Sequence, residues 1–435
     1  MKSQGNILRF ISRRIRNYRL YIVADEVKKV FERIERLDRS IISLKPESPS
    51  QGNVLLSYIT EPFLLKPGQP VSNAHTHDWD SLQIAKTFLD LGYHVDVIRW
   101  NNHTFLPVKN YAYFIDARTN LERLARSLNK DCVKIMHIDT AHWLFHMAAQ
   151  HQRLLALQQR KGITLSLRKT VEPNRGIEEA DCATTCGNEF TISTYRYANK
   201  PIYRIPHSSA ALYPCPEGKD FEACRKRFLW FGSGGLVHKG LDLVLDAFAE
   251  MPEYHLIVCG PVHQDRGFEK AFYRELYRTP NIHTVGWVDI SGPEFLEITN
   301  SCVGLIYPSC SEGASGGVVT CLHAGLIPII SYESGVDVDG FGYLLKDCSI
   351  ENIKEEIRMV ANLSAQELRE RARQAWEFAR ANHTREKFAD EYRKIVTDLI
   401  SSRVAPLPPS SAPENAVVSA PSVHHGHAPV SSISR

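Results

Sequence analysis

No run of this 435-residue chain is apolar over the roughly 20 residues that a membrane-spanning helix needs, and its N-terminus lacks the charge, apolar core and small-residue cleavage site of a signal peptide. Neither sign of charge dominates. The 52 Lys and Arg against 49 Asp and Glu leave a net +3, so the balance gives no argument for nucleic-acid binding. A disulfide or zinc pattern is missing too. The ten cysteines are scattered, Cys259 and Cys302 lie inside apolar runs, and the Cys182–Cys186 spacing is not that of a zinc knuckle, so they read as reduced thiols. These absences point to a cytoplasmic protein. What is present is an ordinary globular composition, 43% hydrophobic and 23% charged, in a chain long enough for two substantial cores.

Residues 1–50 stand apart. Val23, Val27, Val30, Ile34, Leu37 and Ile41 step by four and three as a short heptad seam, and Ile11, Ile15, Tyr18 and Ile22 form a stripe flanked by arginines. Up to residue 40, eleven Lys and Arg face five Asp and Glu. Such a basic amphipathic helix can lie on the inner face of an anionic membrane. The alternatives are that residues 8–41 dock on their own domain or pair with a second copy. Residues 51–210 then alternate strand and helix in the manner of a parallel α/β sheet, 211–226 read as a linker, and 227–383 repeat the alternation. A helix follows over 384–403, and 404–435, rich in Pro, Ser, Ala and His, reads as a disordered tail.

The stretch 303–331, VGLIYPSCSEGASGGVVTCLHAGLIPIIS, carries the chemistry. Val303–Tyr307 and Leu326–Ile330 have the length of parallel strands covered on both faces. Between them, Gly313, Ser315, Gly316 and Gly317 let backbone amides approach a ligand at a helix N-terminus, where the helix dipole favours an anion such as a diphosphate. Glu312 stands at the mouth of that turn, placed to bind a sugar hydroxyl. Upstream, FGSGGLVHKG (231–240) places Ser233, Gly234 and Gly235 in a turn and Lys239 at the next helix start, where an ammonium can meet a phosphate.

Together, GSGGLVHKGLDLVLDAFAE, HLIVCGP, NIHTVGWV and PSCSEGASGGVVTCLHAGLIPII resemble the C-terminal domain of group-1, family-four retaining glycosyltransferases of the GT-B fold, over roughly 227–400. DWDSLQIAKTFLDLGYHVDVI is similar to that family's first helix and second strand. The resemblance implies an α/β GT-B fold, two Rossmann-like parallel-sheet domains facing across a cleft, with the helix 384–403 crossing back onto the first. It also implies a nucleotide-diphosphate sugar as co-substrate, no obligatory metal or other cofactor, and retaining transfer to a glycan or lipid-linked acceptor in polysaccharide or glycoconjugate biosynthesis. Lys239 matches the family's diphosphate lysine, and Glu312 the first Glu of its E-x7-E motif. Ser315, Gly316, Gly317 and Val318 match the amides that meet sugar and phosphate, and Trp287 and Val288 lie where the base packs. Two positions depart from the pattern. Gly234 stands where the family has a phosphate-binding arginine, and Thr320 replaces the second Glu, which binds ribose.

In the first domain the loop VSNAHTHDWD (71–80) offers His75, His77 and Asp78 as acceptor or sugar contacts. An H-x-H pair beside carboxylates also fits a metal-dependent hydrolase, although Trp79 stands where the H-x-H-x-D-H order needs its Asp, so no metal site is expected. His142, in HIDTAHWLFHM (137–147), matches a family histidine that faces the donor sugar. His146 lies one helical turn on, and either ring can instead be a packed core residue. The expected activity is that of an enzyme, a hexosyltransferase. The alternative is a degenerate glycosyltransferase-like subunit that binds a partner.

Overall fold

The computed structural model describes residues 40–338 and 340–404. Of these, the residues up to Ile395 belong to one large unit, and a second unit begins at Val396 within the last helix. The readings of the basic segment before residue 40 and of the tail beyond 404 fall outside the described residues.

Short apolar runs separated by helices give two sheets. Strands β1 (Ile41–Leu44), β2 (Gly52–Tyr58), β3 (Tyr93–Arg99), β4 (Tyr113–Asp116), β5 (Val133–Ile138), β6 (Cys182–Thr185) and β7 (Ile202–Arg204) pair in the order β1-β3-β2-β4-β5-β6-β7. Strands β8 (Arg227–Phe231), β9 (His255–Cys259), β10 (Ile282–Gly286), β11 (Gly304–Tyr307), β12 (Ile327–Ser331) and β13 (Tyr343–Leu345) pair in the order β10-β9-β8-β11-β12-β13. Among the described strands only the β1–β3 pair is antiparallel. Val54–Leu56, Phe228–Trp230 and Leu305–Ile306 are buried, as continuous apolar runs in parallel sheets require.

This order fixes where a ligand can sit. In the first sheet the chain leaves β2 toward β3 on one side and β4 on the other, and in the second sheet β8 has β9 and β11 as neighbours. Loops after such strands diverge and leave a crevice at the strand C-termini, the usual ligand position in doubly wound sheets. The helices that matter follow those loops: α1 (His77–Asp90), α2 (Trp143–Lys161), α3 (Leu241–Ala249) and α4 (Gly316–His323), with α5 (Arg385–Val404) at the end. Early in α5, Phe388 packs edge-on to Trp79 of α1 and Arg393 pairs with Asp90 at 2.6 Å.

One expectation needs correction, and two further segments make contacts that the sequence did not signal. Ile41 does not close a helical seam but opens β1, because the buried Asp96 of β3 needs donors: Ser43 Oγ supplies one at 2.7 Å, beside Tyr111 and Lys109. Residues 211–226, read as a linker, are packed in place. Tyr213, Phe221 and Cys224 pack into the cores of the second sheet, and the buried Lys219 donates to the Thr299 carbonyl at 2.9 Å. Finally, α2 precedes residue 210 in sequence yet docks on the second sheet. Its Leu157 joins that core, Arg160 bonds Asp242 at 2.7 Å and Asp246 at 2.9 Å, and Lys161 reaches Asp246 at 2.6 Å.

Asp242 is wholly buried, so Arg160→Ala removes its hydrogen-bonded partner and leaves only the charge of Arg153 nearby. We expect a loss of about 3 kcal/mol, read as a lower urea midpoint, with Arg160→Lys recovering part of it.

Candidate active site

The loops at the two switch points enclose a cavity of about 840 Å³. The first sheet contributes His75 and His77 after β2, Arg118 after β4, and Asp139 and Thr140 after β5. The second contributes Ser233, His238 and Lys239 after β8, Trp287–Asp289 after β10, and Glu312 with the start of α4 after β11.

Glu312 is the centre of the site. Its Oε1 accepts from Lys239 Nζ at 2.6 Å, Tyr307 Oη at 2.9 Å and Ser309 Oγ at 3.0 Å, with His238 Nε2 at 3.6 Å. Lys239 also donates to Tyr307 Oη at 2.6 Å, so the tyrosine accepts from the ammonium and donates to the carboxylate. Burial would raise the Glu312 pKa, but the adjacent Lys239 and His238 hold it well below the usual carboxylate range. For Lys239 burial would lower the pKa, and Glu312 and Tyr307 raise it instead. The pair is therefore a fixed ion pair. At the helix start, the Ser315 hydroxyl accepts from Val318 N at 3.4 Å, leaving the amides of Gly316 and Gly317 on the cavity wall.

The histidines of the wall are held neutral. His77 accepts from or donates to Tyr58 Oη at 2.6 Å, and loss of water pushes its pKa down to about 4. His146 contacts Ser311 Oγ at 3.1 Å and donates to the Lys169 carbonyl at 2.9 Å, and burial beside His238 again brings it to about 4. Asp139 is buried, yet Arg118 at 2.7 Å and the nearby histidines keep its pKa low. Among the described residues no group of three or more His, Cys, Asp and Glu is arranged to hold a metal ion.

The expected residues distribute unevenly. Glu312, Lys239, Ser233, Trp287, Val288, Ser315, Gly316, Gly317, Thr320, His75 and His77 all line the one cavity. His142 does not. It caps α2, sits edge-on to Tyr195 and Tyr197, and its Nε2 lies 3.2 Å from Tyr197 Oη, while His146 one turn later faces the cavity. Val318 is fully buried behind the helix start, and Asp78, Gly234 and Gly235 lie off the wall. Thr320 donates its hydroxyl proton to the Gly316 carbonyl at 2.7 Å, so toward the cavity it offers lone pairs, the acceptor role of a carboxylate without the charge. Sequence reasoning named His146 without placing it in the site, and it missed His238, Tyr307 and Lys169. His238 and Tyr307 were signalled only by adjacency to Lys239 and to the Glu312 loop.

No protein-family model matches the sequence, and no curated protein matches it. Among solved structures the chain is similar to sucrose-phosphate synthase from Thermosynechococcus elongatus, with a TM-score of 0.56 at 15% identity over 81% of this chain and 100% of that one. It is also similar to Anabaena HepE in complex with UDP-glucose, at 0.49 and 13% over 81% and 99%. A third likeness is to S. aureus TarM in a complex that contains UDP, at 0.45 and 12% over 65% and 55%, so the chain spans about half of that protein. The fold is GT-B: two Rossmann-like, mainly parallel sheets facing across a cleft.

The Lys239–Glu312 pair has a pH signature. In the wild type the lowered Glu312 pKa contributes stability above the unfolded value of about 4.3, lost as the pH falls through the folded value. In Lys239→Met the burial effect loses its main opponent and the folded pKa moves above the unfolded one. Stability should then decline as the pH rises through it, so urea midpoints between about pH 4.5 and 8 should slope downward relative to the wild type.

Proposed function

We propose that this protein is a glycosyltransferase that moves a hexosyl group from a nucleotide-diphosphate sugar to a glycan or lipid-linked acceptor with retention of configuration. One observation carries the reading: Lys239, Glu312 and the free amides at the start of α4 converge on a single cavity at the switch points of two facing sheets. In this reading the diphosphate lies against Gly316, Gly317 and Lys239, which stabilise the charge that develops as the bond between the sugar C1 and the phosphate oxygen breaks. Glu312, its Oε1 engaged by three donors, orients a sugar hydroxyl. Trp287, half exposed at the rim, offers a face to the nucleotide base, and Thr320 accepts from ribose. The acceptor oxygen bonds to C1 on the face the diphosphate leaves, and its proton passes to the departing phosphate oxygen. His77 and His146, neutral at physiological pH, fit hydrogen bonding to sugar hydroxyls rather than charge pairing. The reading needs no metal ion.

Release of nucleoside diphosphate from a panel of nucleotide sugars, with and without chelator, tests it. Turnover of at least one donor is expected. Glu312→Gln and Lys239→Ala should each lower kcat/KM by about 10²–10³-fold. Near-wild-type turnover in both variants, or no donor turned over by the wild type, sinks the assignment.

A further inference from the structure

The wall of the cavity holds one cation that the Lys239–Glu312 pair leaves over. Lys169 belongs to the irregular segment between α2 and residue 176, on the first half of the chain, yet its side chain lines the same cavity as Lys239 and Glu312. Arg118 is neutralised by Asp139 and Lys239 by Glu312, and the remaining wall carboxylate, Asp289, sits beside Trp287 with its Oδ1 accepting from Ser291 N at 2.9 Å. Among the described residues no acceptor is bonded to the Lys169 ammonium.

This lysine is held in place by its surroundings. Gln150, buried on α2, accepts from the Lys169 amide at 3.2 Å and donates to its carbonyl, which also accepts from His146 at 2.9 Å. The neighbouring Arg168 forks onto Asp265 at 3.1 and 3.2 Å, fixing the segment to the second sheet's side of the cleft. The stem then crosses the turn after β8 against Gly235. Gly235 has φ +87°, and a Cβ there would lie 2.6 Å from Lys169 Cγ and 3.5 Å from its Cε. The missing side chain at 235 is the channel through which Lys169 reaches the cavity.

We infer that Lys169 is the second cation of the diphosphate site, delivered from the opposite domain in place of a positive charge on the 233–235 turn. The inference rests on the donor reading above and deepens it, since it assigns the phosphate-binding charge that Gly234 cannot supply. The ammonium is built for an anion: burial, then the like charge of Lys239, lower its pKa, and a diphosphate relieves both effects. Because its backbone is clamped beforehand, little ordering is needed when the anion arrives. Gly234 offers an internal control. A Cβ there meets nothing within 4 Å and its φ lies outside the left-handed region, so a side chain can start from that position without backbone strain.

Calorimetry on the full chain with UDP, GDP, ADP and inorganic pyrophosphate tests this in the wild type, Lys169→Ala, Lys169→Arg, and Lys169→Ala combined with Gly234→Arg. The alanine variant should bind the preferred diphosphate about 10- to 100-fold more weakly, with a shallower salt dependence, and both arginine-bearing variants should regain most of the loss. Unchanged affinity in Lys169→Ala overturns the role of Lys169 and leaves the donor reading standing. A loss that neither arginine restores also overturns it, since the loop and not the charge would be responsible. Lys169-dependent binding of pyrophosphate without any nucleoside diphosphate upholds the cation and overturns the donor reading. Binding of neither ligand by the wild type overturns both.

Discussion

A carboxylate removed from water must find donors, and the architecture around Glu312 is organised by that need. Lys239, Tyr307 and Ser309 all aim at one oxygen, and each comes from the end of a central strand or the loop that follows it. The three can meet because β8 and β11 are adjacent in the second sheet. Glu312 keeps only 17% of its side-chain surface exposed, so an unpaired carboxylate there would be destabilised, and the two loops are locked to each other before any ligand arrives. Preorganisation is then a by-product of satisfying a partly buried charge.

The same loop is held from the opposite side. The Thr191 hydroxyl donates to the Gly313 carbonyl at 2.5 Å, the Asn188 amide donates to the Gly335 carbonyl at 3.1 Å, and any side chain at Gly313 would collide with the Asp139 carbonyl. Backbone meets backbone across the cleft here, which only glycine permits. The glycines of the 312–317 turn thus serve two needs, exposing amides to the cavity and admitting the facing domain.

Much of this was legible in the sequence. The second sheet announced itself through short apolar runs followed by glycine, because parallel strands buried on both faces leave that trace. Lys239 and Glu312 followed from their place after such strands. What stayed hidden depends on contacts far apart in the chain. No motif in ITLSLRKTVEPNR (163–175) marks Lys169, so it becomes visible only when α2 docks on the second sheet. The choice between His142 and His146 turns on how α2 is rotated, which Leu157 and Arg160 set from its other end. Ile41 fitted a heptad step by coincidence, and the partner that makes it a strand, β3, lies more than fifty residues away.

The docking of α2 also changes what counts as a half of this molecule. Chain order divides the protein near residue 210, but Asp242 and Asp246, deep in the second half, take their counter-charges from Arg160 and Lys161 in the first. A fragment beginning after residue 210 would keep its sheet and lose the cations that make two of its acidic side chains tolerable. The two sheets therefore read as separate domains to the eye and as a single cooperative object to a protein engineer, and a chimaera that exchanges the first half must carry residues 143–170 along with the second.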